Sequence, residues 1–200
     1  MRRLGVLLAL VALLLSGCAG SPPTSEQSLP PIDPAAVVAA RKQAGIADCP
    51  TSSATVPARA GGLPDLVLDC LGGDSTVRLA GLRGKPMVIN IWAQWCPPCR
   101  EESPYLRQFQ KVSKGKVQML GIDYDDSRPD WAVEFASLVD WNYPQLQDPQ
   151  RRLSTVMTVG GLPSTLFVDA DGTVVHTVVG KLQSYDELVQ LAGDKLGVKL

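Results

Sequence analysis

Cys96-Pro97-Pro98-Cys99 is the segment of this chain best suited to do chemistry. It stands where a continuous apolar run, Met87 to Ala93, gives way to a helical pattern from about Pro98 to Val112. A cysteine at a helix N-terminus meets unpaired N–H groups and the positive end of the helix dipole, which favour the thiolate and lower its pKa from about 8.5. A second thiol one turn further on can resolve a mixed disulfide. Cys96 is therefore expected as the exposed attacking sulfur and Cys99 as the buried resolving one. Pro97 and Pro98 have no amide hydrogen, so only amides from Cys99 onward can reach the Cys96 sulfur. A thiolate stabilised that weakly favours a reductant.

Half of a zinc site is the competing use of such a motif. A structural zinc needs four ligands, usually a second C-x-x-C or a histidine pair. Cys49 and Cys70 are not so spaced, and the single histidine, His176, falls in a strand pattern on the face of Val174 and Val178, where it reads as a packing or surface residue. No metal or cofactor is expected, and no G-x-G-x-x-G follows a strand. A net charge of −1 gives no basis for nucleic-acid binding. With 45% apolar and 20% charged residues, 200 residues suit one domain with an ordinary core.

The elements that must hold the cysteines follow from periodicity and turn signals. Leu66-Val67-Leu68 and Thr76 to Leu79 flank Gly72-Gly73-Asp74 as a hairpin. Met87 to Ala93 reads as a central strand covered on both faces, and Pro104 predicts a kink in the helix after it. Val117 to Ile122 is the next buried strand. Pro129 to Val139 is a helix with Trp131, Val133, Phe135, Leu138 and Val139 as its apolar residues and Asp130 and Glu134 outward. Pro149 to Met157 is a weaker helix. Thr165 to Val168 and Val174 to Val179 are strands joined at Asp171-Gly172. Ser184 to Glu187 is a capping box for a last helix ending near Gly197. The pattern implies an α/β domain with a mixed sheet and helices on both faces.

The N-terminal region reads as an address. Arg2 and Arg3 precede an apolar run from Leu4 to Leu15, too short to span a bilayer and suited to a secretory signal peptide. Twin-arginine export stays open. The run closes on Leu15-Ser16-Gly17-Cys18, which resembles a bacterial lipobox, with Cys18 lipidated. The expected organisation is a signal peptide over 1–17, a lipidated flexible stalk over 18–34, an extension over 35–62 with a short helix from Ala35 to Ala44, and the folded domain over 63–200. Of the five cysteines, lipidation of Cys18 leaves the even number a secreted domain should have.

Trp92-Ala93-Gln94-Trp95-Cys96-Pro97-Pro98-Cys99-Arg100-Glu101-Glu102-Ser103-Pro104 resembles the active site of TlpA/ResA-like thioredoxins, and Gly161-Leu162-Pro163-Ser164-Thr165 is similar to the family's loop before its third core strand. The resemblance spans about Leu63 to Leu191 and implies a thioredoxin-like fold, a mixed central sheet flanked by helices, here with an N-terminal hairpin extension. It implies a cis-proline at Pro163 facing the disulfide, leaving the Leu162 backbone free for an extended substrate, and an apolar contact surface at Trp95. Thioredoxin proper has a buried Asp where this chain has Asn90, which cannot accept the proton of the resolving thiol. In the ResA-like group a Glu three residues after the second cysteine is thought to take part of that role, which points to Glu102. Cys49 and Cys70 lie outside the core motifs and read as a structural disulfide stapling 35–62 to the first hairpin; the rival is a second redox pair feeding Cys96–Cys99.

The resemblance implies an extracytoplasmic thiol–disulfide oxidoreductase, lipid-anchored at the bacterial cell membrane. Its family-implied role is reduction of protein disulfides such as apocytochrome c cysteine pairs, with a membrane electron-transfer protein as redox partner. A disulfide-forming oxidase would use the same residues. A thiol peroxidase would need a Pro/Thr cradle before a lone cysteine, where this chain has Trp92-Ala93-Gln94-Trp95. A non-catalytic binding lipoprotein would commonly have lost one of the two cysteines.

Overall fold

The computed structural model describes residues 29–200; the expected signal peptide over 1–17, Cys18 and most of the expected stalk over 18–34 lie outside them. Ile32–Leu200 form one compact unit. Helix α1 (Pro34–Gln43) starts on an Asp33 cap. Strands β1 (Val67–Cys70) and β2 (Thr76–Arg78) form the antiparallel hairpin. Strand β3 (Met87–Trp92) leads into helix α2 (Pro97–Val112), followed by β4 (Gln118–Tyr124), α3 (Pro129–Leu138), β5 (Gln145–Asp148), β6 (Ser164–Val168), β7 (Val174–Val179) and α4 (Tyr185–Leu196).

The seven strands make one mixed sheet in the order β2-β1-β5-β4-β3-β6-β7. β3 runs parallel to β4 and antiparallel to β6, and all six of its residues are buried. Its alternation divides the core. Val88 and Trp92 lie in a cluster with residues of all four α-helices, including Leu106, Phe135 and Leu188. Met87, Ile89 and Ile91 lie in a second cluster with Leu68 and Val77 of the hairpin and with Leu79 and Leu153, which sit on short 3₁₀ turns. Helices thus cover both faces only if those two turns are counted.

β5 has no counterpart in the sequence reading. Gln-Leu-Gln-Asp carries no β-branched residue, and pairing with β4 on one side and β1 on the other makes it a strand. The helix expected over Pro149–Met157 is also corrected, to a 3₁₀ turn over Arg152–Thr155. The buried Asp148 carboxylate draws in the amides of Arg152 at 3.0 Å and Leu153 at 2.8 Å, capping a single turn. On α3 the 3.6-residue period buries Ala132, Val133, Phe135 and Ala136 and leaves Trp131 and Leu138 exposed.

Helix α2 continues through Pro104. The missing amide would have bonded the Arg100 carbonyl, which instead accepts the Ser103 hydroxyl at 2.9 Å. Ahead of the hairpin, α1 packs against α3, and the buried Arg41 guanidinium donates to the Ala47 carbonyl at 2.7 Å and to Asp48 at 3.1 Å. Cys49 and Cys70 are disulfide-bonded, Cα to Cα 6.0 Å, across a sequence separation of 21.

Candidate active site

The α2 N-terminus is built by Cys96 itself. Its backbone is extended, its side chain caps the helix, and Pro97 and Pro98 occupy the first helical positions, where a missing amide costs least. The Cys99 amide donates to Cys96 Sγ at 3.2 Å. Cys96 and Cys99 are joined in a disulfide with Cα atoms 5.3 Å apart. Both sulfurs are buried, which corrects the expectation of an exposed Cys96: it is 2% exposed and Cys99 0%. The Cys96 amide turns back onto the Ala93 carbonyl at 3.2 Å, folding the residue into the cluster that holds Trp92 and Leu106. Trp95 is 49% exposed beside it, its indole N–H donating to the Asp125 carbonyl at 3.1 Å.

Leu162 is half-buried and packs against the cluster that contains both cysteines. The Leu162–Pro163 bond is cis. Pro163 directly precedes β6, whose first residue, Ser164, pairs with Ile91, so this loop lies at the end of β3 that leads to Cys96.

Glu102 falls on the buried stripe of α2, with Cys99, Ser103, Leu106 and Phe109, and is 0% exposed. The Asn90 side-chain amide donates to its Oε1 at 2.9 Å and the Leu182 backbone amide to its Oε2 at 2.8 Å. Burial pushes its carboxyl up to about 7; these two bonds oppose the rise, and the nearby Glu187 charge adds to it. The adjacent Lys181 is ion-paired with Glu101, a second tie between α2 and the segment before α4.

Asn90 also donates to Thr165 Oγ1 at 3.4 Å. In register, Thr165, Asn90, Gly121 and Gln145 form one row across β6, β3, β4 and β5. Gln145 lies over Gly121, where a Cβ would stand 1.7 Å from its Oε1. That oxygen accepts the Trp92 indole N–H at 3.0 Å. Trp92 in turn packs on Phe135 and Trp141 with centroids 5.3 and 5.2 Å apart, and Trp141 Nε1 donates to the Ser103 carbonyl at 3.2 Å. His176 packs beside Phe167, ring centroids 5.8 Å apart. Among the described residues no group of three or more His, Cys, Asp or Glu side chains is placed to hold a metal ion.

A redox disulfide at a helix N-terminus, backed by a buried carboxyl that can titrate near neutrality, can exchange disulfides and move the accompanying proton. Residues 62–177 match the model of the AhpC/TSA family. The chain belongs to the AhpC/TSA family. Over 129 residues this AhpC/TSA chain is 36% identical to the thiol:disulfide interchange protein DsbE of Pseudomonas fluorescens biotype C, covering 63% of this chain and 67% of that one. Over 125 residues it is 33% identical to the thiol-disulfide oxidoreductase ResA of Geobacillus kaustophilus, covering 62% and 70%. A secreted Mycobacterium tuberculosis disulfide oxidoreductase homologous to DsbE superposes with a TM-score of 0.56 at 29% identity, covering 62% of this chain and 91% of that one. The exposed lipoprotein thioredoxin of Streptococcus pneumoniae gives 0.55 at 25%, covering 65% and 98%. The protein is a thiol–disulfide oxidoreductase of the thioredoxin fold.

Three parts of the site have no counterpart in the sequence reading of this AhpC/TSA chain. Leu182 acts through its backbone, 80 residues from Glu102, and leaves no side-chain signal. Gln145 lies on the strand the pattern missed. The Asp123-Tyr124-Asp125-Asp126 stretch shows only at the end of β4 which of its acids face inward: Asp123 and Asp126 are buried and Asp125 is exposed.

Proposed function

We propose that the protein is a reductant of protein disulfides outside the cytoplasm, with Cys96 attacking, Cys99 resolving and Glu102 moving the proton. The observation that carries the reading is the single backbone amide, that of Cys99, donating to Cys96 Sγ. Pro97 and Pro98 supply none. A thiolate stabilised so little makes the dithiol the better electron donor.

The Cys96 thiolate attacks one sulfur of a substrate disulfide and expels the other as a thiolate. The Cys99 thiol then loses its proton to the Glu102 carboxylate and attacks Cys96 Sγ. This forms the Cys96–Cys99 bond and releases the second substrate sulfur as a thiolate. The substrate gains two electrons and the protein loses two. A carboxyl titrating at about 7 serves both directions of that proton transfer near neutral pH. Asn90 cannot take the proton, and its amide instead orients Glu102.

Trp95, Leu162 and Pro163 form the surface on which an extended substrate lies, with apocytochrome c cysteine pairs the class the family resemblance implies. A membrane electron-transfer protein returns the two electrons. A lipid on Cys18, after removal of residues 1–17, tethers the domain through the 18–34 stalk; the pneumococcal relative is itself a lipoprotein by name. No helix among the described residues is long and apolar enough to cross a membrane. Cys49–Cys70 acts as a structural staple between the 35–62 segment and the hairpin.

The reduction potential of the Cys96–Cys99 pair tests the reading. A value near the thioredoxin end, about −270 mV, supports a reductant, and one near about −120 mV makes the protein a disulfide-forming oxidase. Mass spectrometry of the mature N-terminus tests the lipid.

A further inference from the structure

Asp123, near the end of β4, is 1% exposed; no donor reaches either of its carboxylate oxygens, and the Asp126 carboxyl is its side-chain partner. In register it stands between Trp92 of β3 and Gln147 of β5, at the level where β3 gives way to Ala93, Gln94, Trp95 and Cys96. Asp126 follows at 4% exposure. Its Oδ2 accepts the Gln94 amide at 3.4 Å and its Oδ1 the Arg128 amide at 2.9 Å. With the Trp95 indole on the Asp125 carbonyl, both residues immediately ahead of Cys96 are tied to the segment after β4.

We propose that Asp126 is a positioning residue for disulfide exchange: its carboxylate, beside the buried Asp123, holds the Gln94 amide and with it the approach to Cys96. Two neighbouring carboxyls in a water-poor site do not both ionise. Asp126 receives two backbone N–H bonds, which favour charge there, whereas Asp123 receives none and keeps the proton. Burial pushes both carboxyls up, Asp123 furthest; the Asp126 charge and the hydrogen bond to its carboxyl raise Asp123 further, and the two amides oppose the rise at Asp126. Charged groups near the pair include Asp125, itself ion-paired with Arg151, Asp130 and Arg128, the last bonded to Asp130, and Arg100, which donates to the Gln94 carbonyl; Trp92 and Gln147 carry no charge. Loss of the Asp123 proton as pH rises places a second negative charge against Asp126, loosens the hold on Gln94 and slows exchange.

The test uses infrared spectroscopy and kinetics on the purified protein. At neutral pH wild type should show a protonated carboxylic acid band beyond that of Glu102, one that Asp123→Asn removes. Asp126→Asn should slow the reaction of the reduced protein with glutathione disulfide about tenfold per folded molecule and should abolish the further slowing that wild type shows as pH rises, a change of pH profile that a purely structural role would not produce. Should that variant not fold, Asp126→Ser takes its place. Absence of the band in wild type, or a wild-type rate in the folded Asp126 variant, overturns the proposal. The inference rests on Cys96 as the attacking sulfur. Cys96→Ser tests that separately, because it should abolish exchange and keep the infrared band.

Discussion

The Asn90 side chain donates to Glu102 Oε1 across 2.9 Å in a fully buried site, joining the middle of β3 to the second turn of α2. The bond holds the carboxyl on the inner face of the helix that bears both cysteines. It supports the carboxylate without supplying a charge, so desolvation still dominates and the group titrates at about 7.

Glu102→Gln keeps the shape and removes the titration. The rate at which Cys99 resolves a mixed disulfide should fall about 100-fold, as for loss of a general acid–base group. The inflection near pH 7 in the wild-type profile should vanish. Stopped-flow Trp fluorescence of the reduced protein mixed with a disulfide peptide reads both, and an unchanged inflection would remove Glu102 from the proton transfer.

The same titration sets a pH dependence of stability. In the unfolded chain the carboxyl ionises near 4.5 and in the folded oxidised protein at about 7. Below the lower value both states hold the proton; between the two only the folded state does, so stability falls as pH rises through that window and is level above it. The loss is about 3 kcal/mol at most. Urea unfolding of wild type and Glu102→Gln at both ends of the window should show the difference between them shift by that order, against wild type at the higher pH.

Cys99→Ser should accumulate a mixed disulfide on Cys96 with a peptide substrate, detected by intact mass, and Cys96→Ser should accumulate none. Adducts on Cys99 in the second variant would reverse the two roles.

The Cys49–Cys70 bond closes a loop with a sequence separation of 21, which the chain-entropy relation values at about 3 kcal/mol. Replacing both by Ala should lower unfolding free energy by that order and leave the Cys96–Cys99 potential unchanged. A shifted potential would make the pair redox-active.

Gly121→Ala places a methyl 1.7 Å from Gln145 Oε1 and 2.9 Å from Trp92 Nε1. Gln145 must move and its bond to Trp92 is lost, a cost of about 2 kcal/mol. Thermal unfolding measures it, and a neutral effect would show that the row has room to repack.

The cysteine spacing, the two prolines between them and the strand-to-helix junction were legible in the order of residues, because a C-x-x-C at a helix start depends only on neighbours in the chain. Glu102 was half legible: it follows Cys99 by three residues on the same stripe as Leu106 and Phe109, so helical period alone turns it inward. β5 was not legible, since Gln145 and Asp148 become strand residues by pairing with β4 and β1 and not by propensity. The length of Arg152–Thr155 was likewise decided by the Asp148 carboxylate from outside the turn.

What the amino-acid sequence by itself determined was the C-x-x-C pair at a helix start, the absence of amides at Pro97 and Pro98, and the alternation that makes β3 a buried strand; each follows from residues within a few positions of one another. What only the tertiary structure decided was the burial of Cys96, the Leu182 amide on Glu102 from 80 residues away and the enclosure of Asp123 beneath the segment that carries Asp126. Those depend on which strands and loops come together in space, and the desolvation that shifts a carboxyl is a property of that assembled surrounding and not of the residue.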